Sequence, residues 1–487
     1  MKRVRLAFVG IACLWLSGCM VGPKYSRPAV PVTPAFKEPG PASFKEMDGW
    51  KTAQPNDQAI RGAWWELFED PQLNALETQV DTANQTLKQA AANFAAARAA
   101  IRVSRANRAP TVTAGPAVGA VRDSSNQPYF NKAVLSNGGT GNFVLPFDLN
   151  YEVDLWGRVR RSVTSAIETA QAGAADMETA RLSLHAELAV DYFNLRSADT
   201  QEWLLAQTVK AYLDALQLTQ DRYDGGASPE SDVTQARTLL LSAQAAMTDV
   251  AAQRAEYEHA IAVLIGKPPA ALTLAAIPLT AHPPTLAAVP GVLPAQLLER
   301  RPDIAAEERR MAAANEQIGI AQAAFYPTLS LSAAVGFAGT SPLNWLSWPS
   351  RLWAVGPTLS QTLFDHGLRQ GNSEIARANY DATVAAYRQA ALTAFQEVED
   401  NLAVLRELET EARQQRQATE SAEQSLALFQ TRYEGGVDTY LQVITWQTAA
   451  LQNERNDIDL MRRRLEADVL LIKALGGGWD TSKLPSV

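Results

Sequence analysis

Two periodicities alternate along this chain, and their order predicts its architecture. Val163, Ile167, Ala170, Ala174 and Met177 step by four and three, the spacing of helices packed as coiled coils. The run that carries them, 157–222, would extend roughly 100 Å at about 1.5 Å per residue, longer than a globular core. Phe395, Val398, Leu402 and Leu405 step in the same way in a second run. Helices are predicted over 72–108, 157–222, 230–265, 302–325, 367–433 and 438–475. Asp224-Gly225-Gly226 ends the first long helix through the left-handed conformation open to glycine, and Pro229 stands near the start of the returning helix.

Between the helices the period changes to two. Phe143, Leu145, Phe147, Leu149, Tyr151 and Val153 alternate with Val144, Pro146, Asp148, Asn150, Glu152 and Asp154. One face is therefore compatible with lipid and the other turns acidic. Leu329 to Ala338 alternates likewise, Val112 to Ala120 more weakly, and Trp353 to Leu363 provides a fourth segment. Such segments of about ten residues suit tilted membrane-barrel strands. Past the first 18 residues no apolar stretch approaches the roughly 20 residues of a membrane-spanning helix, so a membrane crossing has to use strands. Gly138-Gly139-Thr140-Gly141 reads as an exposed hairpin turn between two of them.

The plan occurs twice. Arg222-Tyr223-Asp224-Gly225-Gly226 returns as Arg432-Tyr433-Glu434-Gly435-Gly436, about 210 residues later; Ala109-Pro110-Thr111 answers Tyr326-Pro327-Thr328, and Trp156-Gly157 answers His366-Gly367. Residues 62–290 form the first repeat and 291–479 the second, with a tail at 480–487. Four strands cannot close a barrel, and an open edge in lipid leaves backbone groups unsatisfied, so identical chains must pool their strands. Two copies would give a lumen filled by side chains; three give twelve strands and a passage, which the acidic inner face favours.

Of 487 residues, 47% are hydrophobic and 20% charged, a composition that excludes disorder. The formal net charge of -8, with no basic block among aromatics, argues against nucleic acid as a partner. At the N-terminus Lys2, Arg3 and Arg5 precede an apolar run from Leu6 to Leu16, as in a secretory signal peptide. Leu16-Ser17-Gly18-Cys19 resembles the lipobox of bacterial lipoproteins, which implies removal of residues 1–18 and acylation of Cys19, the sole lipidation site. That maturation takes the net charge from -8 to -11, removes Cys13, and leaves 19–61 as an acylated, extended N-terminal segment. Met20, rather than Asp, implies onward export to the outer membrane.

Further stretches resemble the TolC-like outer-membrane factors of tripartite efflux pumps, in their lipoprotein (NodT) branch. They are Val21-Gly22-Pro23-Lys24-Tyr25, Trp64-Trp65, Arg300-Arg301-Pro302-Asp303 running to Phe325-Tyr326-Pro327, and Gly436-Val437-Asp438-Thr439-Tyr440-Leu441. The resemblance covers nearly the whole chain. It implies a mainly helical homotrimer in the cell outer membrane, with a twelve-stranded β-barrel continued by a long α-helical barrel in the periplasm. It also implies a passive duct for small molecules such as drugs, fed by an inner-membrane pump of the RND type and a periplasmic membrane-fusion adaptor. Arg222, Tyr223, Gly225, Gly226, Arg432, Tyr433, Gly435, Gly436 and Asp438 would form the tips that dock the adaptor. Ser231 and Pro229 depart from the usual first tip. Asp221, Asp224, Glu423 and Glu434 are the gate candidates, because threefold symmetry would turn each acid into a ring.

Two other readings compete: the outlet of a type I protein secretion system, and a poreless coiled-coil lipoprotein that spaces the envelope. The second does not account for the strands. No enzyme site is found. His185, His259, His282 and His366 read as isolated surface or packing residues, without a second ligand at metal spacing. Gly266-Lys267-Pro268 lacks the phosphate-loop pattern, and no nucleophile elbow occurs. The expectation is no metal and no cofactor beyond the N-acyl and S-diacylglycerol lipid on Cys19.

Overall fold

A computed structural model describes residues 20–30, 32–38, 62–122, 124, 139–279 and 294–479. The signal segment, Cys19, the junction of the repeats near 290 and the tail at 480–487 lie outside the described residues.

The first repeat comprises α1 (Pro71–Ala83), α2 (Gln85–Ala106), β1 (Thr111–Ala114), β2 (Ala117–Val121), β3 (Thr140–Val153), α3 (Arg158–Asp224) and α4 (Glu230–Leu264). The second comprises α5 (Pro294–Arg300), α6 (Pro302–Ala323), β4 (Thr328–Gly339), β5 (Arg351–Ser360), α7 (Leu368–Glu434) and α8 (Tyr440–Ala474). Helices α3 and α7 each hold 67 residues and start after a left-handed glycine, Gly157 and Gly367.

Three predicted elements differ. The helix expected over 72–108 breaks at Asn84, whose side chain accepts from Leu87 N to cap α2 and donates to Leu264 O at 2.8 Å. That competing side-chain bonding favours a cap over a helix interior. The first strand breaks at Gly115-Pro116, where proline supplies no N–H. Its halves still occupy one lane, since β1 pairs with 147–150 of β3 and β2 with 140–144. Thr140 and Gly141 belong to β3 and not to a turn.

The antiparallel sheet runs β1/β2, β3, β4, β5. Below it the helices follow the same order, α2, α3, α6, α7, and further down α4, α3, α8, α7. No described helix is long and apolar enough to cross a membrane. The largest core lies where α1, α3 and α8 meet, around Trp64, Phe68, Leu73, Tyr192, Phe193, Leu465 and Val469.

Candidate functional site

The sheet register aligns the apolar faces that alternation predicted. Phe147 pairs with Val335 and Val335 with Trp353; Leu149 pairs with Val112 and Ala333, and Ala333 with Val355. Val112, Phe147, Val335, Trp353 and Val355 are all exposed in the single chain, so the rows form an apolar wall. The other face is less acidic than its sequence suggests. Arg158 grips Glu152 through two bonds of 2.9 and 2.6 Å, and Arg160 reaches Asp154 at 3.2 Å. At the lower rim Trp156 stacks on Tyr326 at 4.8 Å and donates to Pro327 O.

At the far end of the helices, the two tips share one turn geometry. Ala227 N donates to Arg222 O at 2.7 Å and Val437 N to Arg432 O at 2.9 Å, closing both helices by the same wide loop bond. The left-handed residues are Gly226 and Gly436, each with φ of +74°. Gly225 and Gly435, expected in that conformation, have φ of -81° and -73°. The first glycine only ends the helix, and the second carries the reversal.

The tips are also tied together. Arg222 donates to Tyr433 O and Glu434 O, both at 3.0 Å, and lies 4.3 Å above the Tyr433 ring. It thus caps the Glu434 carbonyl at the end of α7 from the neighbouring hairpin, and adds a second bond to the Tyr433 carbonyl, which already accepts from Gly436 N at 2.9 Å. Arg432 pairs with Asp438 inside the second turn. Tyr433 packs against Tyr440, whose hydroxyl is pushed up to about 12, chiefly by burial. Tyr223, Val437 and Leu441 remain exposed around the turns.

Between α3 and α7, with α8 as its floor, runs a groove of about 790 Å³ that starts at the tips. Glu423 and Glu434 line it together with Asp214, Glu454 and Asp457. Burial, followed by the charge of Glu423 and a hydrogen bond to it, raises the Glu454 carboxyl above its usual range. The Tyr433 hydroxyl and Gln447 Oε1 are buried there with no hydrogen-bond partner among the described residues. Asp221 and Asp224 lie outside the groove, each held by a glutamine four residues earlier, Gln217 and Gln220. The four gate candidates thus separate into two inside the groove and two outside. Glu454 and Tyr440 escaped the sequence reading, although 440, 443, 447, 450 and 454 form one stripe on α8.

Residues 76–267 and 293–477 match the outer membrane efflux protein family. The chain belongs to that family. It is 32% identical to outer membrane protein OprJ of Pseudomonas aeruginosa over 97% of this chain and 96% of the relative. It is 33% identical to the toluene efflux pump outer membrane protein TtgF of Pseudomonas putida over 96% and 95%. Among solved structures, the outer-membrane channel OprN aligns with a TM-score of 0.83 at 28% identity, over 95% of this chain and all of that one. The open-state MtrE channel of Neisseria gonorrhoeae aligns at 0.81 and 26% identity, over 94% and 98%. The chain is therefore a TolC-like outer-membrane channel of an efflux pump, a transport component that works with an adaptor and an inner-membrane transporter.

In this channel the middle of α3 is fixed to α1 by a polar cluster that the sequence concealed. His185 is a packing residue, 2% exposed, but it is not isolated. Its Nδ1 lies 2.6 Å from Glu77 Oε2, its Nε2 3.2 Å from Asp81 Oδ1, and its ring stacks on Trp65 at 4.4 Å. The acids come from α1, so spacing along α3 could not reveal them. Glu77 is fully buried and burial pushes its carboxyl up to about 7. No metal-holding group of three or more such residues occurs among the described residues.

Proposed function

We propose that three copies of this channel join edge to edge into one duct, passing small molecules such as drugs from an RND-type pump and its adaptor to the outside. The observation that carries this reading is a layer with two unlike open edges. The sheet ends in β1/β2 on one side and β5 on the other, and the helices above the tips end in α2 or α4 and in α7. Each edge belongs to a different repeat, so copies meet head to tail and the contact can close a ring. Three copies bring twelve strand lanes, enough for a water-filled passage.

Cys19 carries the lipid in this reading. Val21 N donates to Trp156 O at 3.0 Å, which places the start of the described chain where β3 gives way to α3, at the rim of the apolar wall. The tips dock the adaptor through exposed Tyr223, Val437 and Leu441 and the turn backbone. Arg222 and Tyr433 hold the two tips together behind that surface. Glu423 and Glu434, inside the groove, are the stronger gate residues. Mass measurement of detergent-extracted channel tests the reading: a trimer is expected, and a well-folded monomer overturns it.

A further inference from the structure

The seam between the two repeats is a template for a second seam. Helices α3 and α7 begin at 158 and 368 and end at 224 and 434, a constant shift of 210. Helices α2 and α6 end at 106 and 323, a shift of 217, and Pro110 and Pro327 keep the same shift. Within one chain α3 packs on α6. The equivalent contact, α7 on α2, joins opposite edges of the layer and needs a neighbouring copy. This inference therefore rests on the ring proposed above.

At the internal seam Arg161, 2% exposed, crosses from α3 over Gly319 of α6 so closely that a Cβ there would lie 2.3 Å from Arg161 Nε. Its Nη1 donates to Glu316 Oε2 at 2.8 Å. Glu316 stands one turn from Gly319, away from the membrane strands. The outer edges hold the same three residue types with their sides exchanged. The position equivalent to Arg161 is Gly371, and the position equivalent to Gly319 is Arg102. Glu374 lies one turn beyond Gly371, again away from the strands.

Both partners are free to meet a neighbour. A Cβ on Gly371 would meet open space. Arg102 and Glu374 are exposed. Among the described residues Glu374 accepts a bond from Gln370 alone, and Arg102 has no hydrogen bond or ion pair. The charges suit each other along the edge as well. From 82 to 122 the chain has no Asp or Glu but carries Arg98, Arg102 and Arg105 on one face of α2, whereas the stripe of α7 that holds Glu374 carries two acids, Glu374 and Asp381, and one base, Arg377. We propose that Arg102 of one copy crosses Gly371 of the next and pairs with Glu374 there, a lock at every joint of the ring just beneath the membrane.

Removing one partner would leave a charge unpaired in a closed joint. Arg102→Glu and Glu374→Arg should each raise dissociation of the detergent-extracted oligomer at least about tenfold, and the double reversal should recover most of the loss. Circular dichroism of each variant should match the parent, since both side chains are exposed in the single chain. In the intact lipoprotein, Arg102→Cys combined with Glu374→Cys should give chain-to-chain products with a short bismaleimide, and neither single variant should. An oligomeric parent with neutral reversals and no cross-link overturns the lock and leaves the ring standing; a monomeric parent overturns the ring. Reversals that spare the oligomer but abolish binding to phosphatidylglycerol vesicles would reassign Arg102 to lipid and likewise overturn the lock.

Discussion

Replacing Gly226 and Gly436 by valine puts branched side chains at φ of +74°, at a cost of about 1–2 kcal/mol for each turn. Such a channel should reach the outer membrane in normal amounts but fail to restore drug resistance to a deletion strain; full resistance would reject the tip assignment. Gly225→Ala, at φ of -81°, should be milder. The Gly-Gly pairs were readable as turns from sequence. Which member reverses the chain was not, because it depends on where the last helical hydrogen bond falls. The Glu77 carboxyl makes a second residue-scale prediction. Burial raises it from an ordinary 4.5 to about 7, so the folded chain holds a proton there that the unfolded chain has released. Stability should then fall as pH rises from about 4.5 to 7 and level off above. Glu77→Gln should flatten that part of a melting-temperature profile, and an unchanged slope would exclude Glu77 as its source.

Elements were easier to read than their joints. Period two located the four strand lanes and the heptad-like stepping located the long helices to within a few residues, because each pattern reports one apolar face kept along the element, packed against other helices in α3 and α7 and left as an exposed wall in the sheet. The breaks at Asn84 and Gly115-Pro116 depend on single side chains and left no periodic trace. The brace between the tips was hidden for a related reason: Arg222 meets Tyr433 across 211 positions of sequence. Arg222→Ala leaves the Glu434 carbonyl of α7 uncapped and removes a cation–π contact worth about 0.5–1 kcal/mol. Single channels of this variant in planar bilayers should show higher or more frequent conductance than the parent. Unaltered conductance would show that the Arg222 brace between the tips does not restrict the passage.

For the whole molecule, duplication was the most informative feature of the sequence, since it gave the order of elements in both halves. It also left the layer with unlike edges, which the ring proposed above would join. The lipid anchor proposed at Cys19 belongs to this scale too. Cys19→Ser should abolish palmitate labelling, and persistent labelling would dismiss acylation at that residue. The segment that follows Cys19 reaches far along the helices. Arg161 donates to Val21 O and Pro23 O, Tyr25 to Glu308, Arg27 to Tyr387, Lys37 N and Glu38 N to Glu399, and Arg406 holds Glu38.

This belt crosses α3, α6 and α7, tying both repeats from the rim down to Arg406. Any dilation of the duct that spread these helices near the membrane would first have to strip it off. Below it lies the stretch between Arg406 and the turn at Gly436, about 45 Å of helix at 1.5 Å per residue, which no described residue of the N-terminal segment bonds. The segment sits like a band around the stem of a tulip, above helix ends that it leaves unbound.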